Sequence, residues 1–295
     1  MRLRRSMLIV PGSRPERIAK AAALACDCVV MDIEDGVAPA QKPVARRAIA
    51  DALGDLDFRG RERLVRINAV GTAEYAADLE TLDVARIDAL FVPKVDSGDQ
   101  LRTLSRWLDA AEQAVTRDRP IDIVATIETP RGLLRALEIA DASPRTSALF
   151  FGSGDYTVAT GSAVTERALA FPRATIVAAA AAANLQAIDA AYFANVKDIA
   201  ATRADAALAR ELGFCGKLLF HPDQIAPANE IFSPSPAEIA RAERIIAGYQ
   251  AAKARGDGTA IVDGEFIAVD IMLMAERVLT LARQIAAPRT PTRST

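Results

Sequence analysis

Short apolar, β-branched runs alternate with helix-like stretches along most of this chain. Eight runs stand out: SMLIVPG (6–12), CVVMDIED (28–35), RLVRIN (63–68), ALFVPKV (89–95), IDIVATIET (121–129), ALFFGSGD (148–155), LQAIDA (185–190) and GKLLFHP (216–222). Each has the length of a strand, and the segments between them place apolar residues at helical spacing. Leu101, Leu104, Leu108 and Ala111, for example, share one helical face, with Asp96 or Ser97 placed to cap it. Strands alternating with helices specify parallel βα units, and eight such units specify a closed (β/α)8 TIM barrel. In that architecture the C-terminal strand ends build the active face. The polar residues to watch are therefore Ser13, Arg14, Asp32, Glu34, Asp35, Arg66, Asn68, Lys94, Glu128, Asp155, Asp189 and His221.

After the eighth run the pattern changes. Ser235, Pro236 and Glu238 form a capping-box signature that opens a helix to about residue 254. A glycine-rich turn region follows (255–265). A last amphipathic helix then places Ile271, Met274, Val278, Leu281 and Ile285 on one stripe. We expect a catalytic barrel domain over residues 1–225 and a C-terminal helical extension over 226–295, packed on a barrel or exchanged between barrels. The tail 287–295 is expected to be disordered.

Composition narrows the function classes. The 295 residues are 51% hydrophobic and 25% charged, enough for a sizeable core. A net charge of −2 provides no long-range attraction to nucleic acid or an anionic membrane. No apolar run reaches the roughly 18 residues of a membrane span. The basic start MRLRRSMLIVPG has an apolar stretch of only MLIV, too short for a signal peptide. A cytoplasmic protein is expected, with neither nucleic-acid nor membrane partners. Three cysteines, Cys26, Cys28 and Cys215, read as thiols rather than a disulfide framework.

Strand alternation places Asp32 with Glu34, Arg66 with Asn68, and Thr126 with Glu128 on shared faces. If these faces point inward, the barrel mouth is acidic with one arginine, and such charges must pair or hold a metal. Glu128 is expected to end the fifth strand and Asp155 the sixth. Adjacent strands lie about 4.8 Å apart, so the two carboxylates can reach one Mg2+, or Mn2+ in its place. The alternative is that both acids simply pair with Arg66, Arg131 or a loop amide. Arg66 suits developing negative charge, or else a salt bridge to Asp32 or Glu34. Lys94 reads as a strand-end ion pair, with a Schiff-base amine as the alternative. His221, the only histidine, reads as structural. Loop 11–17 offers a serine, two arginines and a helix N-terminus to a phosphate, or is a plain helix start.

Taken together, these segments resemble the citrate lyase β-subunit-like family within the HpcH/HpaI aldolase group. The matching stretches are RSMLIVPGSRPER, VVMDIEDGVAPAQKPVAR, VRIN followed by GT, VPKV, IETPRG, FGSGD, AIDA, and GFCGKLLFHPDQI followed by FSPSPAEI and the AERVL helix. They fall in family order across about residues 4–284. The resemblance implies a Mg2+-dependent lyase or synthase acting on acyl-CoA thioesters, usually a homo-oligomer (trimer or hexamer). It implies Glu128 and Asp155 as metal ligands and Arg66 as the clamp on a substrate carboxylate or carbonyl. Ser13 and Arg14 fall where CoA phosphates approach, and Asp32, Glu34 and Asp35 match supporting acidic positions.

Two departures from the family pattern matter. Gly154 stands where relatives often have an acid. Ala268 stands where several carry a catalytic aspartate after a late glycine, and the nearest aspartate is Asp270. The expected activity is carbon–carbon cleavage of a 3-hydroxyacyl thioester such as malyl-, citramalyl- or citryl-CoA. Thioester hydrolysis, a malate-synthase-like reaction, or a subunit that needs partners are the alternatives.

Overall fold

The computed structural model describes residues 2–191 and 193–288. The expected tail 287–295 thus falls mostly outside the described residues. Eight parallel strands close into a barrel in sequence order. They are β1 (Ser6–Pro11), β2 (Cys28–Asp32), β3 (Glu62–Arg66), β4 (Ala89–Val92), β5 (Asp122–Ile127), β6 (Thr146–Phe151), β7 (Gln186–Asp189) and β8 (Gly216–Leu219). Pairing of Met7 with Leu218 closes the ring between β1 and β8.

Helices α1 (Pro15–Ala23), α2 (Lys42–Asp55), α3 (Ala73–Thr81) and α4 (Gly98–Glu112) follow β1 to β4. After β5 come α5 (Pro130–Leu134) and α6 (Ala136–Ala140), and after β6 come α7 (Ser153–Thr160) and α8 (Glu166–Ala182). Helix α9 (Ile199–Leu212) follows β7, and α10 (Ile225–Ile231) follows β8. Their apolar faces and the outward strand residues, such as Val29, Val65, Leu90 and Ile123, form one continuous core layer. The alternate residues Met7, Cys28, Val30, Leu64, Phe91, Val124, Phe150 and Leu218 fill the barrel interior.

Beyond the barrel lie α11 (Pro236–Ala254), an antiparallel hairpin of β9 (Ala260–Val262) and β10 (Glu265–Ile267), and α12 (Val269–Ala286). The glycine-rich region is therefore an ordered hairpin rather than a bare turn. Asp263 and Gly264 both take positive φ, which matches the twist of a two-residue hairpin loop. Ala242, Ile245, Ile267 and Ala275 give this part its own small core. No helix among the described residues is long and apolar enough to cross a membrane.

The N-terminal end of the barrel is closed by ions. Arg4, 1% exposed, donates to both Glu62 oxygens at 2.8 and 2.7 Å and to Asp122 at 2.9 Å. A register shift beside Ile123 lets Ser147 accept from Arg4 at 2.7 Å. A cavity of about 660 Å3 opens beside this plug, lined by Arg2, Asp122, Arg145 and Gln186 among others. It lies on the face that stabilises such barrels, and its buried cations are already paired with acids.

Candidate active site at the barrel mouth

The inward alternation of the strands delivers Asp32, Arg66, Thr126 and Glu128 to one end of the barrel. Asp32 is paired in register with Arg66 across β2 and β3. The side chains repeat that pairing: Arg66 donates from Nε and Nη2 to the two Asp32 oxygens, at 2.7 Å each. Asp32 also accepts the backbone N–H groups of Glu34 at 2.8 Å and Gly36 at 2.9 Å. That tight wrap needs a glycine at 36, because a Cβ there would sit 2.2 Å from Asp32 Oδ2. Burial opposes the Arg66 charge, but Asp32 and Glu34 more than offset it, so its pKa is raised. Arg66 Nη1 remains, 3.3 Å from Glu34.

Lys94 lies just past β4. Its ammonium sits 2.5 Å from Glu34 Oε1 and 3.0 Å from Asp35 Oδ2, so the ion-pair reading holds. Those two carboxylates outweigh its partial burial and raise its pKa. A Schiff-base lysine needs the reverse shift.

Glu128, one residue past β5, is 5% exposed. Its Oε1 accepts the Lys94 backbone N–H at 2.7 Å. Burial pushes its pKa up to about 8, and the Asp155 carboxyl within hydrogen-bonding reach adds to the rise. Asp155 is not at a strand end as expected. β6 stops at Phe151, and Asp155 sits exposed in the first turn of α7, where the helix dipole favours a carboxylate. The chain turns at Gly152, whose missing side chain is what admits Glu128: a Cβ there would lie 2.5 Å from Glu128 Cβ and Oε2. Sequence reasoning passes over Gly152 because it carries no chemistry of its own. Its one signal is its inward position in the FGSGD run.

A divalent cation fits this arrangement. Glu128 and Asp155 are hard oxygen donors held together despite mutual repulsion. Thr126 Oγ1, on the same inward face as Glu128, is buried with no protein partner. No cluster of three or more potential acidic, thiol or imidazole ligands occurs among the described residues. A two-carboxylate site is the kind Mg2+ uses when substrate and water fill the remaining positions.

Ser13 and Arg14 lie on the same end, in the loop from β1 to α1. Ser13 is half-buried and Arg14 exposed. Asn68 does not join the group: it turns away to Asp78, at 2.7 and 2.8 Å, and accepts from Lys42. Asp189 lies on an outward position, fully buried in ion pairs with Arg173 and Lys217. His221 caps a short turn by accepting the Asp223 N–H at 3.2 Å. Ala268 is extended and immediately precedes α12, and Asp270 is exposed in the first turn of that helix. The two-residue offset therefore does not return an acid to the Ala268 direction. Cys26, Cys28 and Cys215 are not joined in disulfides, and burial pushes the Cys215 pKa up to about 12.

Residues 5–222 match the family model described as HpcH/HpaI aldolase/citrate lyase. A (3S)-malyl-CoA thioesterase of Cereibacter sphaeroides is 38% identical over 97% of this chain and 96% of its own. An L-malyl-CoA/β-methylmalyl-CoA lyase of Cereibacter sphaeroides is 33% identical over 96% of each chain. Among solved structures, CitE of Mycobacterium tuberculosis in complex with magnesium, acetoacetate and coenzyme A superposes with a TM-score of 0.77. It is 34% identical, over 96% of this chain and 98% of that one.

Proposed function

Because the chain belongs to the HpcH/HpaI aldolase/citrate lyase family of enzymes, we propose that it is a Mg2+-dependent carbon–carbon lyase. Its substrate is a 3-hydroxyacyl-CoA with a second carboxylate, of the malyl- or citramalyl-CoA class. The observation that carries this reading is the buried Glu128 beside Asp155, one strand past Lys94 and across the mouth from Arg66. Glu128 and Asp155 would hold the cation. When bound, Mg2+ supplies Lewis-acid stabilisation of negative charge on the substrate oxygens. Arg66, locked by Asp32, offers Nη1 to the substrate carboxylate. A base takes the 3-hydroxyl proton, the C3–O bond becomes a carbonyl as the C2–C3 bond breaks, and that bond's electron pair moves into a thioester enolate, which is then protonated at C2. A 2-oxo acid and a shorter acyl thioester result. Ser13, Arg14 and the N-terminus of α1 are assigned to the CoA phosphates.

A second reading, thioester hydrolysis, is favoured by Ala268, which stands where the family resemblance puts the aspartate of several lyases and synthases, and by the thioesterase relative. One assay separates the two. Malyl-, β-methylmalyl- and citramalyl-CoA are supplied with Mg2+, and 2-oxo acid and free CoA are measured independently. We expect 2-oxo acid, abolished by EDTA and reduced about 100-fold or more in Glu128→Ala. Free CoA without 2-oxo acid selects hydrolysis. Turnover only after adding a partner chain selects a dependent subunit. The absence of disulfides among the described residues supports a cytoplasmic setting. We further assign catalysis to the barrel, which takes in α10 beyond the expected boundary at 225 because Ala228 and Phe232 pack in its core layer, and the remainder to an extension that joins copies of the chain into a trimer or hexamer. Ile261, Phe266, Val269, Leu273 and Met274, all exposed on the hairpin and α12, support that assembly.

A further inference from the structure

Lys94 occupies an unusual backbone state. Its φ of 51° lies in the left-handed region, which residues with a Cβ rarely adopt. The state is imposed from both sides. Pro93 precedes it, its own N–H is fixed on Glu128 at 2.7 Å, and the next N–H, of Val95, is fixed on Thr126 O at 3.2 Å. A glycine would adopt this conformation without strain, yet the chain keeps a lysine there. What the lysine adds is an ammonium directed back to the β2 loop, on Glu34 and Asp35.

That contact bears on Arg66. Arg66 Nε and Nη2 are committed to Asp32 at 2.7 Å each, so Nη1, in the longer ion pair, is the end a ligand can take from Glu34. Glu34 stands 3.3 Å from Nη1, and its other oxygen is held 2.5 Å from Lys94. Without the ammonium, Arg66 would be the nearest cation left to Glu34, and Glu34 would close onto Nη1.

We propose that Lys94 is a positioning residue: by holding Glu34 and Asp35, it keeps the Glu34 ion pair with Arg66 Nη1 long enough for the substrate carboxylate to displace it. This rests on the lyase reading above. It goes beyond that reading by assigning substrate affinity to a residue that neither reacts nor ligates the cation.

Three chains test it: the parent, Lys94→Met and Lys94→Arg. In Lys94→Met we expect KM for the anionic thioester to rise tenfold or more while kcat stays within threefold. We expect Lys94→Arg, whose guanidinium can still engage both carboxylates, to restore KM to within threefold of the parent. Mn2+ affinity, read by EPR without substrate, should stay within threefold in both variants, because Glu128 is held by a backbone N–H. A Lys94→Met KM within twofold of the parent overturns the proposal. So does a loss confined to kcat, or one that arginine does not rescue. If the parent turns over none of the thioesters, the lyase reading fails by itself. The positioning role is then read from glyoxylate binding to the Mn2+-loaded protein by calorimetry. Tenfold weaker binding in Lys94→Met supports it, and equal binding overturns it.

Discussion

At the scale of single residues, the mouth of this barrel is a contest between burial and charge. Asp32 and Arg66 resolve it by pairing, and Glu128 does not, because its neighbour Asp155 has the same sign. Burial first, and then Asp155, lifts its pKa from the ordinary 4.5 to about 8, and the cation-free protein favours a proton on Glu128. The linkage has a definite sign. A carboxyl whose folded pKa is raised contributes stability below its unfolded pKa and loses it as pH climbs through the folded one. Without divalent cations, we expect the melting temperature of the parent to fall between pH 4.5 and about 8 relative to Glu128→Gln, which cannot titrate. Cation binding must displace that proton, so Mn2+ affinity should rise with pH and level off above about 8. Parallel melting curves of the two proteins across this range would contradict the assignment. That Arg66, Glu128 and Asp155 gather at one end of the barrel was legible in the sequence, though not that Asp155 sits on a helix. The contribution of Gly152 was not, because it is the absence of a side chain at a close approach, visible only once Glu128 has been placed beside it.

At the scale of elements, the strands carry two jobs at opposite ends. Their C-terminal ends present the polar mouth, and their N-terminal ends are tied by Arg4 to Glu62 on β3 and Asp122 on β5. Alternation in the sequence predicted which residues share a face, and Val30, Leu64 and Val124, which fill the interior, put Asp32, Arg66 and Thr126 on the inward one. It did not predict where the ladders stop. β2 ends at Asp32, β3 at Arg66 and β6 at Phe151, so Glu34, Asn68 and Asp155 lie on turns or a helix. Once off the ladder, the period of two no longer governs direction, which is why Asn68 turns to Asp78 instead of the mouth. The Arg4 tie is far from the chemistry, and its loss should be a stability effect. Arg4→Met leaves Glu62 buried without its main cation, and we expect destabilisation of about 3–5 kcal/mol. Denaturant titration measures it. KM of the folded fraction should stay at the parent value, and a changed KM with unchanged stability would refute this division of labour.

At the scale of the whole molecule, the hairpin and α12 form a small core with α11 and leave large apolar side chains on their outer side. Phe266 and Met274 are 62% and 61% exposed, costly for an isolated chain in water. A second copy of the chain is the occupant we assign. Sedimentation at micromolar concentration should give a trimer or hexamer. The double substitution Phe266→Glu and Met274→Glu should shift it to smaller species while the barrel stays folded by circular dichroism. An unchanged sedimentation coefficient would place the assembly contacts elsewhere.

The sequence by itself determined the barrel, which strand residues share a face, and which acids and arginine are candidates for its mouth. These follow from periodicity, which is local, and from residue types that burial forces to pair. The motifs in family order placed the chain among its relatives. Only the tertiary structure decided which of the polar strand-end residues meet. Glu34 reaches Lys94 across 60 positions of sequence and Glu128 reaches the Lys94 backbone across 34, whereas Asp189 is drawn outward into ion pairs with Lys217 and Arg173. Such meetings depend on where each ladder ends and how each loop leaves it. These are set by packing between elements far apart in the chain, and no local pattern encodes them.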